Sequence, residues 1–245
     1  MPSIHTLAVI PARLASTRLP RKVLRDIAGK PMLQWIVEAA LAAPRLDRVV
    51  VATDSEEVVA LAAQHGWEAM LTSPDLQSGS DRVHAVSQKI DSEIVVNIQG
   101  DEPMLRPAHI DALLAPFDRP AIEAQVTTLW TPCTPEEIAD PNAVKVVLAE
   151  DGHAIYFSRS TIPFDRERTG GAVYRKHLGL YAYRRATLER FAGLPPHPLE
   201  TTERLEQLRL LAHNIPIYVE QTPHTTIGVD TEADLDRVAA ILATR

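Results

Sequence analysis

Apolar positions in the first hundred residues follow two rhythms. Leu7-Ala8-Val9-Ile10, Val49-Val50-Val51-Ala52 and Ile94-Val95-Val96 are short unbroken runs, the signature of strands buried on both faces. They predict strands over 6–10, 48–52 and 93–98, with a weaker one over 67–71. The intervening stretches carry helical spacing. One helix is expected over 31–41, opened by Pro31 in its first turn. A second follows Ser55, a cap whose neighbours Glu56 and Glu57 suit the positive end of a helix. A third covers 80–90. Strands alternating with helices imply right-handed crossovers and a mainly parallel sheet.

Past residue 120 the rhythm changes. Strand-like runs fall at 122–130, 144–148, 155–157 and 179–183, separated by turns and polar stretches. An amphipathic helix is expected over 199–212, a strand over 216–219, and a closing helix over 231–243 with Thr231 as its cap. No repeat or linker interrupts the chain. The expected organisation is one α/β domain over 1–245, with a smaller inserted lobe within about 120–200.

Composition narrows the partners. The chain has 245 residues, 45% of them hydrophobic and 23% charged, as in a globular protein with a full core. A net charge of −7 argues against nucleic acid or an anionic membrane surface as a general partner. Any phosphate-binding surface must then be local. Cys133 is the single cysteine, which excludes an intrachain disulfide or a Cys-based zinc site. No leader or membrane-length apolar segment is read, so no membrane insertion and a cytoplasmic location are expected.

Against that acidic background, Pro11 to Lys22 stands out. It follows the first strand and holds Arg13, Arg18, Arg21, Lys22, Ser16 and Thr17, with no acid. Arginine binds phosphate oxygens bidentately, lysine acts as a point charge, and hydroxyls add neutral donors. The GxxxxGK[ST] pattern is absent, so a P-loop is not the device. A solvated surface loop would carry the same residues. A second element, Gln77-Ser78-Gly79-Ser80-Asp81-Arg82, combines a glycine open to close approach with donors and a cation. A helix cap at Ser80 is the bland reading. Asp101 and Asp230 each follow an apolar run. Ordinary turn or cap roles would explain either alone. If both strands end on one sheet edge, the pair can flank Mg²⁺, which takes one or two carboxylates plus substrate phosphates.

These residues fall in a longer series. Val9-Ile10-Pro11-Ala12-Arg13, Ser16-Thr17-Arg18-Leu19-Pro20 and Lys22 resemble the opening of the 3-deoxy-manno-octulosonate (Kdo) cytidylyltransferases. The likeness continues through Ala52-Thr53-Asp54, 77–82, 96–103, 142–147 and Tyr156-Phe157-Ser158-Arg159. It then runs through 177–183, Pro198-Leu199-Glu200, 203–209 and Gly228-Val229-Asp230-Thr231, nearly the whole chain in order. The resemblance implies a nucleotidyltransferase-type, Rossmann-like α/β fold with a sugar-binding and dimerisation lobe. It implies a homodimer that joins CTP to Kdo with release of pyrophosphate, for lipopolysaccharide synthesis. On it, Pro11, Ala12, Arg13, Ser16, Arg18 and Lys22 face the triphosphate, while Ser78, Gly79, Arg82 and Gln99 surround the cytosine side. Asp101 and Asp230 are the implied Mg²⁺ ligands, and with Arg13, Arg18 and Lys22 the implied catalytic set. Arg159, His177, Tyr183, Glu206 and Gln207 match sugar-acid contacts.

Two departures are visible. Arg21 stands where glycine is frequent, and 166–176 is short for the family. Met32, Trp35 and Ile36 read as helix core, and His84 and His153 show no metal spacing. Two alternatives stay open at this point: a cytidylyltransferase for another sugar acid, and a catalytically silent sugar-nucleotide-binding protein.

Overall fold

A computed structural model describes residues 4–14, 19–76 and 78–244. The chain divides into two compact units, Met1–Asp111 with Thr225–Arg245, and Ala112–His224. Among the described residues, no helix is long and apolar enough to cross a membrane.

The first unit opens with β1 (Ile4–Pro11), whose Leu7, Ala8, Val9 and Ile10 are fully buried. A 3₁₀ turn at Lys22–Leu24 and a two-residue hairpin, β2 (Asp26–Ile27) with β3 (Lys30–Pro31), lead into α1 (Met32–Leu41). Met32 and Ile36 are core residues, and Trp35 donates its indole N–H to the Ile27 carbonyl at 2.8 Å. Then come β4 (Arg48–Thr53), α2 (Glu56–Gln64), β5 (Ala69–Leu71), α3 (Gly79–Ser87) and β6 (Ser92–Asn97). The strands lie in the order β6-β1-β4-β5, all parallel. Continuous apolar runs are what such doubly covered strands require. The register pairs Pro11 with Ala52 and Val9 with Asn97, so the loops after β1, β4 and β6 leave from one carboxyl edge. Helix α4 (Pro107–Leu114) carries the chain on.

The second unit contains β7 (Val126–Pro132), α5 (Pro135–Ala139), β8 (Lys145–Leu148), β9 (Ala154–Ser158) and β10 (Arg175–Arg184). Helices α6 (Arg185–Ala192), α7 (Pro198–Glu203) and α8 (Gln207–Ala212) and strand β11 (Ile217–Gln221) complete it. Its strands are mixed: β7 lies between antiparallel β10 and parallel β11, while β8 pairs antiparallel with β9 and β10. The chain then returns to the first unit as α9 (Glu232–Leu242), capped by Thr231 in a reciprocal box with Asp234.

Three differences from the sequence reading have physical causes. The helix expected over 199–212 is two helices, broken at Arg204, which adopts φ 55°. Apolar spacing continues across the break because the turn still buries Leu205 and Leu208, so periodicity alone hides it. Ser78, not Ser80, caps α3, exchanging bonds with Asp81. Helices α4, α5 and α6 were not anticipated, although Thr134-Pro135-Glu136-Glu137 carries a capping box and N-terminal proline.

Candidate active site

The carboxyl edge of the first unit collects most of the residues expected to meet the nucleotide. Pro11 ends β1, and the chain runs on with the Ala12 N–H donating to the Ala52 carbonyl at 2.8 Å. Ala12 is buried and Arg13 is exposed just beyond it. Ser16 and Arg18 lie outside the described residues. The loop after β6 packs against this turn. A Cβ added to Gly100 would sit 2.4 Å from the Pro11 carbonyl oxygen, so only glycine permits that approach. A Cβ on Gly79 would lie 3.4 Å from Pro11 Cγ and 3.7 Å from Gln99 Oε1. Ser78, Gly79, Pro11 and Gln99 therefore form one neighbourhood. Gly100 was quoted in the sequence pattern but given no role; its signal was a glycine between a buried strand and an acid.

Lys22 sits at the centre of the acidic part of this edge. Its Nζ donates to Asp101 Oδ2 at 2.8 Å and to Asp230 Oδ1 at 3.0 Å. The 3₁₀ turn that begins with Lys22 aims it there, after Arg21 in a left-handed conformation at φ 57°. A left-handed residue other than glycine costs about 1–2 kcal/mol, a cost that Arg21 carries here. Arg21 also pairs with Glu57. Asp230 is brought in by a backbone bond from the Val229 N–H to the Asp101 carbonyl at 2.9 Å. Burial works against the Lys22 ammonium, but the two carboxylates outweigh it and raise its pKa.

The fit of a divalent cation can be judged on this donor set. Two carboxylates converge on one cationic nitrogen, so a second cation can be shared in the same way. Both are hard oxygen donors, as Mg²⁺ requires. Among the described residues there is no cluster of three or more acidic, His or Cys side chains able to hold a metal. The set suits an ion whose remaining ligands come from substrate and water.

Arg82 faces inward. Its side chain is 1% exposed and donates to Asp54 at 2.9 Å, to Ser73 O at 3.5 Å and to Thr72 Oγ1. It thereby ties α3 to the ends of β4 and β5.

The residues expected to meet the sugar acid all lie in the second unit. His177, Tyr181 and Tyr183 project from β10, where the register slips between Leu178 and Tyr181. The His177 ring meets Phe157 edge-on at 4.9 Å and Tyr181 at 5.5 Å. Burial lowers its pKa to about 3, so the imidazole is neutral and is no proton reservoir near pH 7. Burial, and then the Glu206 charge, push the Tyr183 hydroxyl far above its ordinary value; Tyr181 is raised by burial, Tyr183 and Glu206. Glu206 stands at the head of α8, and Gln207 begins that helix. Among the described residues, Gln207 Nε2 and Tyr181 Oη are buried without a hydrogen-bond partner. A buried orphan donor is costly unless something completes it. Tyr181 was not among the predicted contacts, although it occupies the same strand as Tyr183.

Arg159 plays a different part in the geometry. It donates to the carbonyls of Glu203, Pro141 and Arg204 at 2.7, 3.0 and 3.4 Å, holding the α7–α8 turn. Beside it, fully buried Lys145 spends three donors on the Asp140, Ala143 and Arg159 carbonyls at 2.8, 2.6 and 2.8 Å. Desolvation lowers the Lys145 pKa. Glu203 accepts from Ser158 Oγ at 2.6 Å and from the Arg159 N–H at 3.0 Å.

Comparison with known proteins gives consistent answers. A family profile described as "Cytidylyltransferase" matches residues 7–221. A 3-deoxy-manno-octulosonate cytidylyltransferase from Acidobacterium capsulatum is 61% identical over 245 residues, covering 100% of this chain and 99% of the relative. A solved CMP:2-keto-3-deoxy-manno-octonic acid synthetase complexed with CTP superposes with a TM-score of 0.93 at 42% identity, covering 98% of this chain and 99% of that one. A putative glucose-1-phosphate thymidylyltransferase from Bacillus anthracis shares the fold at a TM-score of 0.69 and 14% identity, over 98% of this chain and 96% of its own.

Proposed function

The chain belongs to the 3-deoxy-manno-octulosonate cytidylyltransferase family, an enzyme family of the nucleotidyltransferase fold, and from that premise we propose that it transfers CMP from CTP to Kdo, releasing pyrophosphate. The observation that carries this reading is the convergence of Lys22, Asp101 and Asp230 at the carboxyl end of a parallel sheet. Carboxyl edges of such sheets are where α/β proteins take ligands.

In this reading Arg13, Arg18 and Lys22 bind the triphosphate, with Ser16 and the Pro11-Ala12 backbone close by. Ser78, Gly79 and Gln99 line the base, and Arg82 contributes through the loop that it secures. Asp101 and Asp230 would hold Mg²⁺, which would supply charge neutralisation for the phosphates. The C2 oxygen of Kdo forms the new bond to the α-phosphorus, the α–β phosphoanhydride bond breaks with pyrophosphate leaving, and the hydroxyl proton passes to solvent water. The protein's part is to position the reactants and to offer fixed charge where negative charge develops. His177, Tyr183, Glu206, Gln207 and Arg159 define the sugar-acid side, with Tyr181 beside them. No side-chain nucleophile is required. Cytoplasmic location, a role in lipopolysaccharide synthesis and a homodimeric state complete the reading, each resting on resemblance.

A pyrophosphate-release assay with CTP and a panel of sugar acids tests it. Kdo should give the highest kcat/KM, and Asp101→Asn should remove most Mg²⁺-dependent turnover. Preference for another sugar acid would reassign the substrate, and calorimetric binding without turnover would refute the enzyme reading.

A further inference from the structure

The register slip in β10 leaves Gly179 and Leu180 without opposite numbers on β7, because Leu178 pairs with Leu129 and Tyr181 with Thr128. The fully buried Thr128 side chain fills the gap this makes. Its Oγ1 lies 2.7 Å from the Leu180 carbonyl oxygen, 3.1 Å from that of Leu178 and 2.9 Å from His177 Nε2.

Counting protons settles the direction of each bond. A carbonyl oxygen only accepts, and a threonine hydroxyl has a single hydrogen. Two oxygen–oxygen approaches this short need that hydrogen between them, directed at Leu180 and shared with Leu178. Oγ1 therefore meets His177 as an acceptor, and Nε2 must carry the ring proton. A neutral imidazole with hydrogen on Nε2 has a bare lone pair on Nδ1. Among the described residues, Nδ1 has no hydrogen-bond partner. Its ring is flanked by the Phe157 and Tyr181 rings.

Building on the reading of His177 as a sugar-acid contact, we propose that Thr128 is a positioning residue. It locks His177 as the Nε2–H tautomer, so that Nδ1 accepts a hydrogen bond from a hydroxyl of the sugar acid and rejects its carboxylate. The histidine thus selects for an O–H donor, and the acid group must be held elsewhere. The burial that keeps the imidazole neutral supports the same arrangement.

The experiment is ¹⁵N-edited NMR of the histidine rings in the full chain, with KM values for CTP and Kdo. In the unsubstituted protein, His177 should show a protonated Nε2 and an unprotonated Nδ1. Thr128→Val should release the tautomer and raise the Kdo KM about tenfold, the worth of one hydrogen bond, while leaving the CTP KM within about twofold. Thr128→Ser should restore both the tautomer and the Kdo KM. A protonated Nδ1 in the unsubstituted protein overturns the proposal, and that measurement decides even where Thr128→Val fails to fold. An unchanged Kdo KM in a folded Thr128→Val protein that has lost the tautomer also overturns it. If the tautomer is as stated but His177→Ala leaves the Kdo KM unchanged, the sugar contact itself is refuted while the Thr128 lock stands.

Discussion

Gly100→Ala offers the sharpest test of how the nucleotide edge is built. The added Cβ would lie 2.4 Å from the Pro11 carbonyl oxygen and 3.4 Å from its carbonyl carbon. An unstrained carbon-to-carbonyl contact is about 3.3 Å or longer, so the loop must open by about 0.9 Å at this point. The obstacle is backbone, and the adjoining Ala12 N–H is bonded to the Ala52 carbonyl, so Pro11 cannot simply swing aside. Overpacking of this kind costs about 1–3 kcal/mol. The substitution also stiffens the unfolded chain, which offsets about 0.4–1 kcal/mol. The expected net loss is about 1–2 kcal/mol in urea unfolding. Because Asp101 is the next residue, the same shift should pull it from Lys22 and weaken CTP binding in calorimetry by tenfold or more, on the order of one lost charge-assisted hydrogen bond. Gly193→Ala serves as the control. Its Cβ meets only ordinary contacts at 3.6 and 3.8 Å, and its φ of −84° suits alanine. Unfolding and CTP titrations of Gly100→Ala that match the unsubstituted protein would refute the close-approach argument.

Three further outcomes follow from the same geometry. Asp54→Ala strands the 1% exposed Arg82 guanidinium without its carboxylate; a loss of about 3–5 kcal/mol is expected, read by thermal or urea unfolding. For His177, the unfolded ring takes a proton near its ordinary value of 6.5 and the native ring only near 3, so the unfolded state binds more protons between them. Stability should therefore fall as pH drops from 6.5 towards 3, by up to about 2 kcal/mol at pH 5, and His177→Gln should flatten that slope between pH 7.5 and 5. Lys22→Met removes the ammonium that Asp101 and Asp230 share. It should lose CTP turnover by at least about a hundredfold, as removal of a fixed transition-state charge does, yet bind Mn²⁺ more tightly in the absence of nucleotide by electron paramagnetic resonance; weaker Mn²⁺ binding would remove the shared-site argument.

The strands of the parallel sheet are written in their local residues, because residues buried on both faces must be apolar without interruption. So are the caps at Ser55 and Thr231, where a local side chain satisfies a local N–H. Pro11, Gly79 and Gln99, which the fold places side by side, were equally legible as motif residues. Where the chemistry depends on partners far apart in the chain, the outcome was set by folding. Lys22 meets Asp230 across 208 positions, Thr128 meets His177 across 49, and Arg159 turns its guanidinium to carbonyls rather than to open space. The left-handed turn at Arg204 that divides α7 from α8 also escaped the pattern, because an apolar period records which face is buried and not the sign of φ. Local sequence encodes what each residue can donate, accept or bury. Which neighbour receives it, and so which tautomer, charge state or close approach results, is set by the packing of segments that the sequence holds apart.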